Sequence, residues 1–183
     1  MRWPVVLLLV SAAAAATGQS PPDTGGFGVG VWADEARGIT CVTGTAGASF
    51  PLVAWALVPD GLGLAYVTVR FAFPENVSQP GRPDFAPAVT TVIVTDYPDG
   101  TVEWNLVVAG CPSGWVRLFA RECTLLDAAP SRFAIRADAS MIRDCTFALN
   151  GAAVLNELVI NDPGCETVPD RTAGWSRLHG RYR

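Results

Sequence analysis

The feature that most constrains this chain is the rhythm of its apolar runs. Between residues 27 and 161, short stretches rich in β-branched and aromatic residues are interrupted by Gly, Pro, Asp or Asn at spacings of about 10–15 residues. The runs are "FGVGVWA" (27–33), "SFPLVAWALV" (49–58), "LAYVTVRFAF" (64–73), "VTTVIVT" (89–95), "TVEWNLVVA" (101–109), "GWVRLFARECTLL" (114–126), "SRFAIRA" (131–137), "IRDCTFALN" (142–150) and "AAVLNELVIN" (152–161). Nothing comparable recurs at helical spacing. The chain is therefore expected to be all-β, an antiparallel β-sandwich of about 8–9 strands.

Alternation fixes which side of each strand is wet. Val102, Trp104, Leu106 and Val108 fall on one face, while Thr101, Glu103 and Asn105 fall on the other, so that strand buries one side only. Phe71 and Phe73 alternate with Arg70, and Phe133 and Ile135 with Arg132 and Arg136, which places those arginines in solvent. The run "PLVAWALV" is apolar on both sides and reads as a central strand. In "TDYPDGTV" (95–102), proline pre-sets a turn, aspartate caps it, and Gly100 supplies a positive φ. Asp96 and Asp99 are expected to turn the chain rather than to hold calcium, which needs more oxygens at a different interval. Asp60-Gly61 makes a similar turn.

The opening "MRWPVVLLLVSAAAAATGQS" has one early arginine, a short apolar run and then small residues. This is a signal-peptide pattern, and the apolar run is far below the roughly 20 residues of a bilayer span. The expected organisation is a signal peptide (1–18), a flexible linker (19–26), one sandwich domain (27–168) and a basic, aromatic C-terminal tail (169–183). A secreted product, extracellular or periplasmic, follows. All thirteen basic residues are arginine and the formal net charge is −4, with no clustered basic face in the body of the chain for a nucleic acid.

The five cysteines are Cys41, Cys111, Cys123, Cys145 and Cys165. None forms a C-x-x-C pair and the single histidine is His179, so structural zinc is not indicated. In an exported chain the expectation is two disulfides with one cysteine left over. Cys145–Cys165 is the one pairing expected by name.

Catalytic constellations are scarce. Serine or cysteine nucleophiles need a base beside them, and His179 lies in the tail. Glu103 with Glu122 is as good a carboxylate pair as any for a hydrolase, yet both fall on wet strand faces. "GGFGVG" (25–30) precedes a strand rather than a helix, so it is no phosphate loop. Asn76-Val77-Ser78 matches a glycosylation sequon. Of the tryptophans, Trp32, Trp55 and Trp104 lie inside apolar runs, whereas Trp115 follows "CPSG" at a loop edge and is the candidate ligand contact. No catalytic residue, metal or cofactor is implied.

In the tail, Trp175, Leu178 and Tyr182 would share one face of a short helix. "GVWADEARGITC" (30–41), "IRDCTFAL" (142–149), "NDPGC" (161–165) and "WSRLHGRYR" (175–183) together resemble a family of short secreted bacterial proteins. That family opens with a strand of the form G-x-x-x-D-x-x-G-x-x-C and closes on a W-x-x-[IVL]-x-x-x-Y-R tail. Here one more residue separates Asp34 from Gly38. The resemblance implies a secreted β-sandwich with no catalytic residues to carry over. The expected build is immunoglobulin-like or cohesin-like. The expected role is a non-enzymatic module meeting another extracellular or cell-surface protein, with glycan binding through loop aromatics as the alternative and a carboxylate-dependent hydrolase third.

Overall fold

A computed structural model describes residues 26–165 of the chain. The expected signal peptide, nearly all of the linker and the C-terminal tail, with Trp175, Leu178, His179 and Tyr182, lie outside the described residues.

Alternating sequence becomes extended chain throughout. The first seven strands are β1 (Gly28–Trp32), β2 (Cys41–Val42), β3 (Ser49–Val58), β4 (Leu64–Ala72), β5 (Val77–Ser78), β6 (Asp84–Phe85) and β7 (Val89–Asp96). The rest are β8 (Thr101–Val108), β9 (Gly114–Leu125), β10 (Ser131–Ile135), β11 (Met141–Asp144), β12 (Leu149–Gly151), β13 (Ala153–Asn156) and β14 (Leu158–Ile160). A 3-10 turn, Ala137–Ala139, is the one helical element among the described residues.

The strands form two sheets. The smaller runs β13-β1-β3-β9-β5, with β6 also on β9. In the larger, β4 is central: β8 and then β7 lie along one edge, while β11 and β10 share the other edge end to end. β12 continues from β11, and β14 and β2 continue from β10. "PLVAWALV" is indeed central, as β3 between β1 and β9. The fold is thus the expected β-sandwich, antiparallel except where β1 meets β13 and β14 meets β2. These two parallel pairs bring the start and end of the domain together, one pair in each sheet.

Fourteen strands appear where about 8–9 were expected, for two physical reasons. Two long apolar runs are broken: one by a turn at residues 145–148, the other at Glu157, where the chain crosses from the smaller sheet to the larger. In addition, β2, β5 and β6 are two residues each, too short to show alternation.

The core lies between the sheets. Leu52, Ala54, Ala56, Val67, Val69, Leu106, Leu118, Phe133 and Ile142 are all essentially inaccessible, the side chains larger than alanine each contributing about 1.5–3 kcal/mol by burial. An aromatic cluster crosses the middle: Trp104 and Phe119 rings are 4.4 Å apart, with Phe71 and Phe85 against both.

The expected Cys145–Cys165 bridge is not formed. Cys41 pairs with Cys165 (Cα–Cα 5.9 Å) and Cys111 with Cys145 (6.0 Å). Parallel pairing of β14 with β2 carries Cys165 to Cys41. The turn after β11 instead packs on the loops before β4 and β9, where Cys145 N donates to Leu62 O at 3.3 Å and Leu64 N to Pro112 O at 2.8 Å. Cys123, also a disulfide candidate, is a buried free thiol inside the sandwich, and burial pushes its pKa up to about 12.

Candidate functional site

The turn at "TDYPDGTV" sets one end of the site. Tyr97 N donates to Thr101 O at 2.9 Å and Gly100, at φ +77°, closes the loop. Asp99 is the turn residue: its Oδ1 accepts from Thr101 N (3.1 Å) and Thr101 Oγ1 (2.6 Å), and its Oδ2 pairs with Arg70 at 3.0 Å. Asp96 is instead the last residue of β7.

From that turn a polar chain runs across the outer face of the larger sheet. The Arg70 guanidinium lies 3.6 Å from the Tyr97 ring centroid, and its Nε donates to Thr101 Oγ1 at 2.6 Å. Tyr97 Oη donates to Glu103 at 3.1 Å, Asn105 Nδ2 to the other Glu103 oxygen at 3.0 Å, and Thr68 Oγ1 to Asn105 Oδ1 at 2.9 Å. Tyr66 Oη donates to the same Asn105 oxygen. The Glu103 hydrogen bond holds the Tyr97 phenol above its ordinary pKa. Each side chain in this chain is fixed by its neighbours, so the face is preorganised.

Strand register arranges apolar groups on both flanks. One row across the face reads Ile93, Asn105, Thr68, Met141, and the next reads Thr91, Val107, Tyr66, Arg143, Leu149. Ile93 is 58% exposed and Leu149 55%, with Met141 and Val107 also open to solvent. Arg143 is exposed and has no ion-pair partner among the described residues. Five strands at about 4.8 Å spacing make the face about 20 Å wide.

Beside it, the 145–148 turn presents Phe147, 72% exposed at φ +67°. Asp144 holds that turn from a buried position: its Oδ1 accepts from Thr146 N (2.8 Å), Thr146 Oγ1 (2.6 Å) and Ala148 N (3.1 Å). The Thr146 hydroxyl lowers the Asp144 pKa, against the opposing effect of desolvation.

Trp115 stands elsewhere, half-buried on the outer face of the smaller sheet. Trp32 meets it edge-to-face at 5.7 Å, and the Arg37 guanidinium lies over both Trp55 (4.7 Å) and Trp115 (4.5 Å). Arg37 belongs to the β1–β2 loop, which is held across this sheet by Glu35–Arg117 at 3.1 Å. Gly30 is required beneath it, since a Cβ there would come within 2.5 Å of the Trp32 ring. This strap explains how a strand apolar on both sides stays covered.

Glu103 and Glu122 lie on the outer faces of different sheets. A cavity of about 430 Å³ at the edge of the smaller sheet is lined by Arg82, Asp84, Arg121 and Glu122 among others, and Asp84 there pairs with Arg117 at 2.8 Å. No group of three or more His, Cys, Asp or Glu is placed to share a metal ion among the described residues. Nor is any described helix long and apolar enough to cross a membrane. Asn76, the sequon residue, donates to Ala129 O at 2.8 Å. Sequence reasoning missed the outer face because Ile93, Met141 and Leu149 look like core residues in a one-dimensional pattern.

No protein-family model matches the chain, and no curated relative is found. Solved structures do match its fold. It is similar to a type II cohesin domain from the cellulosome of Acetivibrio cellulolyticus, with TM-score 0.57 and 11% identity, covering 74% of this chain and 95% of that one. It is also similar to the sixth cohesin of Acetivibrio cellulolyticus scaffoldin B, solved in complex with a Cel5 dockerin (TM-score 0.55, 14% identity, 74% and 98% covered). A non-cellulosomal cohesin from the hyperthermophilic archaeon Archaeoglobus fulgidus matches with TM-score 0.53 at 9% identity, covering 86% of this chain and 99% of that one. The chain has a cohesin-like β-sandwich fold.

The Asp99 turn yields a pH prediction. Hydrogen bonds from Thr101, and then Arg70, lower the Asp99 pKa to about 2. Because this lies below the unfolded value of about 3.9, the stabilisation is complete above that value and is lost as pH falls toward 2. Carbon-detected NMR titration should place the Asp99 midpoint near 2, and Thr101→Val should raise it toward the ordinary carboxylate value. An ordinary midpoint in the unmodified chain would contradict the turn geometry.

Proposed function

We propose that this chain is an exported, non-enzymatic module that binds another protein through the outer face of its larger sheet. The observation that carries this reading is the pairing of exposed aliphatic flanks, Ile93–Val107 and Met141–Leu149, with a hydrogen-bonded centre that needs no reorganisation on binding. Specific protein interfaces combine such apolar anchors with polar groups already in place. Phe147 extends the anchor set at the β12 edge. Arg143, free of an internal partner among the described residues, calls for a carboxylate on the other protein. Two disulfides fit an oxidising compartment. Support also comes from the scaffoldin B cohesin, which shares the fold and was solved bound to a protein. Glycan binding at Trp115 is the weaker reading, because Arg37 already occupies the ring faces a sugar would stack on.

The test uses the full chain as bait against the secreted and cell-surface proteins of its source, alongside a Met141→Glu/Leu149→Glu variant and a control, Thr124→Glu, on the opposite sheet. Partners identified with the unmodified chain should bind at least ~30-fold more weakly to the face variant, a loss of about 2 kcal/mol, and equally to the control. Binding that survives the face variant, or glycan binding abolished by Trp115→Ala, would overturn the proposal.

A further inference from the structure

β7 ends the larger sheet: it pairs with β8 on one side and with no described strand on the other. Edge strands are usually kept short, charged, proline-bearing or covered, because their free N–H and C=O groups template pairing with another chain. Among the described residues β7 has none of these protections from Thr91 to Thr95; its register on β8 shifts only at Thr90, outside that stretch. It is eight residues long, "VTTVIVTD", without proline and without charge before Asp96. It is open on both sides. Ile93 is exposed on the outer face, and Val94, which pairs with the core-facing Trp104, is nonetheless 51% exposed.

The centre of the strand reads the same in both directions: Thr91, Val92, Ile93, Val94, Thr95. A two-fold interface sets residue i against j and j against i. With the axis on Ile93, an antiparallel second copy places Thr against Thr, Val against Val and Ile against Ile, all favourable β-branched or hydroxyl pairs. The two Asp96 carboxylates fall at opposite ends, about 20 Å apart, each beyond the regular stretch and next to the register shift at Thr90 of the other copy.

Backbone phase agrees with this register. The Tyr97 N to Thr101 O bond makes 97–101 a hydrogen-bonded pair, and alternate pairs back along the hairpin, Thr95–Glu103 and Ile93–Asn105, repeat it. The N–H and C=O groups of Val92 and Val94 therefore point away from β8. In the Ile93-centred register Val92 faces Val94 of the second copy, so the free groups meet each other. Ile93 sits on the axis in a non-hydrogen-bonded pair, where side chains approach most closely.

We propose that the protein forms a two-fold dimer by antiparallel pairing of β7 with β7 of a second copy, joining two larger sheets into one. This dimer does not depend on what the outer face binds, but it sets two such faces side by side.

Sedimentation equilibrium on the full exported chain tests it. A reversible dimer is expected with a dissociation constant on the order of 10 μM, as suits an interface of small area. Ile93→Lys and Ile93→Glu each put like charges on the axis at an exposed position and should weaken the dimer at least ~10-fold. Mixing the two variants should restore association, which a merely destabilising substitution would not do. A monomer at about 100 μM, a dimer indifferent to both variants, or a mixture that stays monomeric overturns the proposal.

Discussion

Replacing Cys41 and Cys165 together with serine is expected to lower the unfolding free energy by about 5 kcal/mol, the largest loss available from removing one bridge. The reason is the length of the loop. This disulfide spans 124 residues and the Cys111–Cys145 bridge spans 34. The unfolded chain gains entropy as the logarithm of that span when the bridge is removed, so the second pair is worth about 1 kcal/mol less. Topology adds to the difference. Cys41 lies in the β2–β14 pair and Cys165 just follows it, and both sheets depend on bringing the domain's beginning and end together. Against a total stability of about 5–15 kcal/mol for such a domain, that loss is about a third of the total or more. In the folded chain burial pushes the Cys123 pKa up to about 12, leaving almost no thiolate for exchange. Once unfolded it is an ordinary thiol of pKa about 8.5, so the comparison is made at about pH 5, where that thiol is protonated. Denaturant unfolding of the two double-serine variants measures the order directly. Equal losses, or peptide mapping that links Cys145 to Cys165, would refute the account.

How much of this could be read from sequence depends on whether a feature is local. The 97–100 turn and β3 were legible because proline, glycine and alternation act within a few residues. The disulfides were not, since Cys145 and Cys165 are near in sequence but belong to structures at different places in the fold. The break in "AAVLNELVIN" was hidden for a similar reason: Glu157 marks a crossing between sheets, where its carboxylate accepts from Ile135 N at 3.1 Å. The outer face was illegible in a different way. Ile93 and Ile142 are the same residue type in similar runs, yet one is exposed and the other fully buried. Only the position of the second sheet separates them. Arg37, an ordinary loop arginine in the sequence, proves to cover two tryptophans. Such contacts are set by chain segments distant in sequence, and no pattern within either segment encodes them.

Phe119→Ala is expected to lower stability by about 3–5 kcal/mol, the range for emptying a core site of a whole ring. Phe119 is 1% exposed and touches Phe71, Phe85 and Trp104. It sits at a bulge in β9 between Ala54 of β3, too small to fill the gap, and Phe85 of β6. The neighbouring rings are held by both sheets and cannot collapse into the space without breaking strand pairing. Phe119→Leu, which keeps most of the volume, should lose less than half as much. The consequence reaches the outer face through β8. Trp104 packs on Phe119 from the inner side, while Glu103 and Asn105, its neighbours in the chain, carry the polar network outside. Losing the ring should therefore loosen β7–β8 before β10–β14, which shares none of these contacts. Amide exchange read strand by strand decides the matter. Uniform acceleration across both sheets, or a stability loss below about 1 kcal/mol, would show that the aromatic cluster does not support the face above it.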